Sequence, residues 1–206
     1  MSYQLWLGFM VACWVISISP GAGAIASMSS GLNYGFRRGY WNAVGLQLAL
    51  LVQIGIVAAG AGVLFATTRW AFLAIKWFGV CDLLYLACLQ WRAPVQNIQI
   101  QHESQIKSPA KLVFTGFLVN MSNPKAIVFL LAVLPQFLDL SRPQWPQYVM
   151  MALTMISIDL IVMAGYTGLA AKVLRLLSSP RQQKMMNRSF AILFAAAAGL
   201  LSLVHQ

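Results

Sequence analysis

Four ionisable side chains stand within stretches of sequence that are otherwise apolar: Lys76, Asp82, Lys125 and Asp159. An ionised group at the centre of a membrane helix costs about 2.5–3.5 kcal/mol on insertion scales, so such residues usually serve binding or transport. Helical rise predicts that Asp159 and Lys125 lie at similar depth and within reach of each other. We interpret them as a substrate-binding or proton-coupling pair, although mutual neutralisation of two buried charges would also explain them.

Asp82 has two interpretations. It lies near the middle of its apolar segment, where it could be a second proton-coupling acid or a structural partner for Lys125. Lys76 lies nearer to the end of the same segment, and its side chain could extend to the membrane interface. Asp82 and Asp159 could also be the acid pair of an intramembrane aspartyl protease. The stretch Gly79–Asp82 lacks the second glycine of the GxGD motif of those enzymes, which disfavours that class.

Proline interrupts two of the apolar segments at matching places in the two halves of the chain. The interruptions are Ser19-Pro20-Gly21 and Asn123-Pro124-Lys125. Proline removes a helix hydrogen bond and clashes with the preceding turn, and in lipid the freed backbone groups need protein partners or a wet cavity. One kink would be ordinary, since proline is common in membrane helices. Two breaks in corresponding segments indicate a transporter site built from discontinuous helices.

Polar residues near these breaks extend the predicted site. Asn120 and Asn123 share a helix face, and they could bind substrate or cap the broken backbone. Tyr166 lies beyond Asp159 on the same segment and could gate the site or simply pack. The predicted substrate-binding set is Ser19, Pro20, Gly21, Gln47, Asn120, Asn123, Pro124, Lys125, Asp159 and Tyr166, and the predicted proton-coupling acids are Asp159 and Asp82.

The elements that must position these residues are membrane helices. The chain has 206 residues, of which 60% are hydrophobic and only 9% charged, with a mean hydropathy of +0.73. Soluble domains carry about 25% charged residues, so we expect an all-α membrane protein with a single transmembrane domain. Stretches of about 20 apolar residues are long enough to span. The six predicted spans are Leu5–Met28, Tyr40–Phe65, Trp70–Gln90, Leu112–Leu138, Tyr148–Ala171 and Met186–Val204.

A polar loop at 94–111 divides the chain into two units of three spans each, residues 1–93 and 112–206. An odd number of spans places the two units in opposite orientations, so the sequence predicts two inverted repeats, with helices 1 and 4 broken.

The net charge of +10 could suggest nucleic acid as a partner, but its distribution indicates membrane topology instead. Three alternate loops hold most of the basic residues, which predicts that these loops are cytoplasmic and that both termini are periplasmic. The expected location is the bacterial inner membrane, with the lipid bilayer as partner and no nucleic acid. The basic residues of these loops are Arg37, Arg38, Arg92, Lys107, Lys111, Lys172, Arg175, Arg181, Lys184 and Arg188.

Patterns of enzymes and metal sites are missing from the sequence. It has no HExxH motif, and His102 and His205 fall outside the spans, so we expect neither an enzyme nor a cofactor or metal. No repeat suggests an ion-channel filter. The pairs Gly55/Ala59 and Ala195/Gly199 have the small-xxx-small spacing of close helix contacts, within one chain or in a homodimer.

The chain resembles the LysE/RhtB family of bacterial amino-acid exporters, most closely its homoserine/homoserine-lactone branch. The resemblance implies export of small amino acids or derivatives (homoserine, homoserine lactone or threonine-like compounds) by proton antiport, with a channel or an uncoupled membrane scaffold as the alternative. It covers nearly the whole length and rests on Ser17–Gly21, Gly35–Gly39, Gly45–Gln47, Lys76–Gly79, Asn120–Lys125, Pro135–Phe137, Asp159 and Tyr166.

Overall fold

The computed structural model describes residues 1–64, 69–93, 107–139, 141–170 and 179–202, and within these ranges it contains helices and no strand. The all-α prediction is therefore confirmed over the described residues. The first thirteen residues of the predicted loop 94–111 lie outside them. The helices are α1 (Tyr3–Ile18), α2 (Ala22–Gly39), α3 (Trp41–Leu64), α4 (Arg69–Arg92), α5 (Pro109–Met121), α6 (Pro124–Ala132), a 3₁₀ turn (Leu134–Phe137), α7 (Gln144–Gly168) and α8 (Pro180–Ser202).

Both predicted helix breaks are present. The axes of α1 and α2 differ by 55°, and α5 differs by 60° from the stretch Pro124–Phe137. At the first break Ser19 and Gly21 are extended, with φ of −64° and −151°, and Pro20 lies between them. At the second break the Asn123 side chain accepts a hydrogen bond from the Lys125 amide and so caps α6. Proline suits the first position of that helix because no hydrogen bond is lost there.

The first predicted span was too short. It was expected to end at Met28 and to lead into a loop, but α2 continues to Gly39 and α3 begins at Trp41. Gly35 has a φ of +71° within α2, a conformation that glycine adopts without strain, so the helix changes direction there instead of ending.

Among the described residues, two helices are long and apolar enough to cross a membrane, and up to four crossings result if each bent pair is one span. The stretches Trp41–Ala59 and Gln144–Gly168 are each long and apolar enough to cross, and each bent pair passes the same test when its two helices are taken together. Helices α4 and α8 have 24 and 23 residues and pack against each other. The arrangement of six spans in two inverted repeats stays a prediction.

Helices α3 and α5 pack with their backbones in direct contact. A Cβ atom on Gly45 would overlap the carbonyl group of Val113, and one on Gly116 would overlap the carbonyl group of Asn42. These glycines therefore let α5 lie against α3 immediately before the second break. The small-xxx-small pairs Gly55/Ala59 and Ala195/Gly199 do not lie at this contact. All four residues are exposed, and a Cβ on Gly55 or Gly199 would meet nothing within 4 Å.

Candidate functional site

The two helix breaks enclose a polar cavity. Its volume is about 60 Å³, several times the roughly 10–15 Å³ that one water molecule requires. Its lining combines polar groups with an apolar wall of leucine, isoleucine and methionine side chains. The lining residues are Ile16, Ser17, Ser19, Gly21 and Gly23 from the first break, Leu46 and Leu50 from α3, Asn120, Asn123, Lys125 and Ala126 from the second break, and Met155, Asp159 and Met163 from α7.

The carbonyl groups freed at the end of α1 are bound by side chains from the second half of the chain. The Tyr166 hydroxyl donates to the carbonyl oxygen of Ile18 at 2.6 Å, and the Lys125 ammonium donates to the carbonyl oxygen of Ser19. A helix C-terminus carries partial negative charge, so the lysine cation is favourable there. The first break therefore exposes carbonyl groups that are satisfied by protein donors, as a break within a membrane requires.

Asp159 projects from α7 into the same cavity. Its Oδ2 accepts a hydrogen bond of 2.5 Å from Nε2 of Gln47 on α3. Asp159 and Lys125 act on each other electrostatically, but no direct ion pair is found between these two described residues, since the ammonium is engaged by Ser19. The cavity thus holds one acid and one base that are not paired with each other, and a zwitterion presents the complementary ammonium and carboxylate groups.

The two asparagines have structural contacts as well as positions on the cavity wall. Asn120 donates to the carbonyl oxygen of Leu46 at 2.9 Å, and Gln53 donates to the Asn120 carbonyl oxygen at 2.9 Å. Asn123 donates to Oδ1 of Asn120 at 3.4 Å while it caps α6. These bonds fix the second break against α3, which agrees with the capping interpretation and leaves the side chains facing the cavity.

Buried polar atoms without a hydrogen-bond partner lie at this site. The Ser19 hydroxyl is 2% exposed and lines the cavity, and Oε1 of Gln47, which is 5% exposed, belongs to the amide that binds Asp159. Such orphan groups are rare in folded proteins, and each calls for an explanation. In addition, Gly21 provides no side-chain cap for α2, and the amides of a first helical turn have no carbonyl partner within the helix.

The structure brings most of the predicted site residues together. Ser19, Gly21, Asn120, Asn123, Lys125 and Asp159 line one cavity. Gln47 donates to Asp159, and Tyr166 donates to the carbonyl of Ile18, the residue before Ser19. Pro20 and Pro124 lie at the two breaks and shape the backbone beside the cavity. The backbone of Asp82 belongs to α4, and its side chain lies outside what the structure describes, so its proposed role stays a prediction.

The apolar wall was missed by sequence reasoning. Met155 and Met163 lie four residues on either side of Asp159, and Leu46 and Leu50 are also four apart. Residues at this spacing share a helix face. The four-residue spacing in α7 therefore indicated that Met155 and Met163 share a face with Asp159, but the prediction used only the charged residue of that face.

Comparison with known proteins identifies the family. Residues 14–204 match the model of the LysE type translocator family. An uncharacterized membrane protein of Vibrio cholerae serotype O1 is 40% identical over 98% of each chain. The homoserine/homoserine lactone efflux protein of Salmonella typhimurium is 36% identical over 98% of each chain, and the leucine efflux protein of Enterobacter sp. strain 638 is 24% identical over 96% of this chain and 94% of its own.

No solved structure gives a significant match to this chain. The family match spans both helix breaks and every residue of the cavity. It therefore covers the whole candidate site, and not merely a set of apolar helices. The chain belongs to the LysE type translocator family.

Proposed function

We propose that this protein is a secondary transporter that exports small amino acids or their derivatives across the bacterial inner membrane by proton antiport. The observation that carries the proposal is the cavity between the two helix breaks, which is lined by the acid Asp159, the base Lys125 and an unpartnered Ser19 hydroxyl. Two relatives are named as a homoserine/homoserine lactone efflux protein and a leucine efflux protein, which supports export of an amino acid or its lactone.

The substrate ammonium binds Asp159 in this proposal. Gln47 donates to Oδ2 of that carboxylate and Ser17 also interacts with it, but two carboxylate oxygens can accept further hydrogen bonds, here from the ligand. A hydrogen bond from an ammonium to a carboxylate is charge-assisted and is stronger than one to a neutral acceptor. Homoserine and its lactone both carry the amino group, so this contact is common to both compounds.

The substrate carboxylate binds at the first turn of α2. Gly21 and Gly23 lie on the cavity wall there, and the adjacent amides together with the Ser19 hydroxyl supply donors. The positive end of the helix dipole favours an anion at this position, and the Lys125 side-chain nitrogen lies beside Gly21. The lactone lacks a free carboxylate, so it depends on Lys125 less than homoserine does.

The substrate side chain faces the apolar wall formed by Leu46, Leu50 and Met155. This wall suits a short side chain without charge and disfavours lysine or arginine, whose charge would meet no partner there. The wall thus supports small neutral amino acids as the substrate class.

Proton coupling follows from competition at Asp159. A protonated acid cannot hold the ammonium as an ion pair, so proton binding and substrate binding exclude each other at this residue, which is the condition for antiport. Asp82 is the second candidate for a coupling acid. Exchange between the two faces occurs as the broken helices tilt, because interrupted helices bend at their breaks.

Transport by purified protein in liposomes tests the proposal. With an acidic lumen, labelled homoserine should accumulate above its external concentration, saturate, and be displaced by homoserine lactone. Flux that never exceeds equilibration would identify a channel, and absence of flux for all small amino acids would indicate a scaffold.

A further inference from the structure

A second, apolar cavity opens on the surface of the protein, between the first turns of α3 and α5. Its volume is about 440 Å³, and it shares no residue with the substrate cavity. Trp41 and Leu48 form one side of the groove, and Pro109, Phe114 and Phe117 form the other. Phe114 is 60% exposed and Leu48 is 45% exposed. A concave apolar surface of this kind has the properties of a binding site and differs from a convex helix face that simply meets lipid.

Exposed basic residues lie close in sequence to the residues at one end of this groove. Arg37 and Arg38 are exposed at the end of α2, three or four residues before Trp41, and Lys111 is exposed in the first turn of α5, two residues after Pro109. The Arg38 guanidinium donates through Nε to the carbonyl oxygen of Lys107 at 3.1 Å. That bond holds the end of α2 beside the start of α5, so the basic residues of both helices lie together.

Acidic groups that could balance these charges lie elsewhere in the described part of the chain. Asp139 pairs with Arg142 in the segment before α7, and Asp159 lies in the substrate cavity. A second copy of this chain placed on the same surface would bring two basic clusters together, which disfavours association. The occupant should therefore combine a long apolar part with a negative charge.

We infer that the groove binds an anionic diacyl phospholipid. One acyl chain lies along Leu48, Phe114 and Phe117, and the phosphate lies against Lys111 and Arg38. Tryptophan at the membrane interface commonly lies at headgroup level, and Trp41 has that position beside the basic cluster. Clusters of lysine and arginine attract anionic headgroups in this way.

Native mass spectrometry of the full chain in detergent tests this inference, with phosphatidylglycerol and phosphatidylethanolamine of identical acyl chains as probes. Phosphatidylglycerol should remain bound at lower concentration. Lys111→Gln and Arg38→Gln should each weaken its binding by about fivefold and should weaken that of phosphatidylethanolamine less, because the ammonium of that headgroup offsets the phosphate charge that both lipids carry. Leu48→Trp fills the groove and should weaken the binding of both lipids.

Two matched variants serve as controls. Arg142→Gln removes an exposed basic residue outside the groove, and Leu153→Trp enlarges a side chain on α7 that is 62% exposed. Both should bind phosphatidylglycerol as the unchanged protein does. Equal retention of the two lipids, or phosphatidylglycerol binding that is unaltered by the Lys111 and Arg38 changes or by Leu48→Trp, would overturn the inference. The measurement does not depend on transport, so it stands or fails separately from the proposed export function.

Discussion

Replacing Asp159 with asparagine removes the negative charge of the substrate cavity while it keeps the size of the side chain. The Gln47 amide can still donate to the asparagine oxygen, so the contact between α3 and α7 persists. The substrate ammonium loses a hydrogen bond to a charged acceptor, which contributes about 1.5–3 kcal/mol. At about 1.4 kcal/mol for each factor of ten, the half-saturating substrate concentration should rise roughly 10- to 100-fold.

Two transport modes separate the roles of this acid. Uptake driven by an acidic lumen requires both substrate binding and the coupling proton, whereas exchange of labelled for unlabelled homoserine requires binding alone. We expect Asp159→Asn to abolish the driven mode and to raise the half-saturating concentration for exchange. Homoserine lactone should be affected to the same extent, because it presents the same ammonium.

The matched control is Asp139→Asn. The hydrogen bonds from Ser141 and the nearby Arg142 hold the pKa of the Asp139 carboxyl below its usual range, so this variant also removes a negative charge, but outside the cavity. Both transport modes should be normal. Normal exchange by Asp159→Asn would refute the ammonium contact, and normal pH-driven uptake would refute the coupling role and make Asp82 the candidate acid.

Three further substitutions test other parts of the site. Lys125→Gln should weaken homoserine transport by about tenfold or more and leave homoserine lactone less affected, as competition assays would show; equal losses would argue against a carboxylate contact. Gly23→Ala places a methyl group 3.4 Å from Leu46 of α3, an ordinary contact, so the protein should fold. The control is Gly55→Ala, whose methyl group meets nothing within 4 Å. The Gly23 variant should transport larger substrates more slowly than this control does. Gly116→Ala forces a methyl group onto the Asn42 carbonyl and should destabilise the fold by about 1–3 kcal/mol. The loss should appear as a lower thermal transition temperature in detergent. A transition temperature equal to that of Gly55→Ala would contradict the close contact of α3 and α5.

The helix breaks could be predicted because proline acts locally. Pro20 and Pro124 remove backbone donors wherever they occur in a helix, and both positions are broken in the structure. The convergence of Asp159 and Lys125 on one cavity also followed from their depth along predicted helices. These inferences needed only helical geometry and the energetic cost of charge in lipid.

Contacts between distant segments could not be derived in the same way. No residue pattern assigns the Lys125 ammonium to the Ser19 carbonyl, because the acceptor is a backbone group that any residue carries. The packing role of Gly45 and Gly116 depends on how α5 crosses α3, which no local pattern fixes. The extension of α2 past Met28 was missed because its polar end resembles a loop in composition.

The bonds at the end of α1 have a consequence for assembly. The acceptors, on Ile18 and Ser19, belong to the first half of the chain, and the donors, on Tyr166 and Lys125, belong to the second. Neither half alone can complete the site, and the first half alone cannot satisfy the carbonyl groups of its broken helix. If the chain were cut between residues 93 and 107, the two fragments should be inactive when produced separately and should recover transport when produced together.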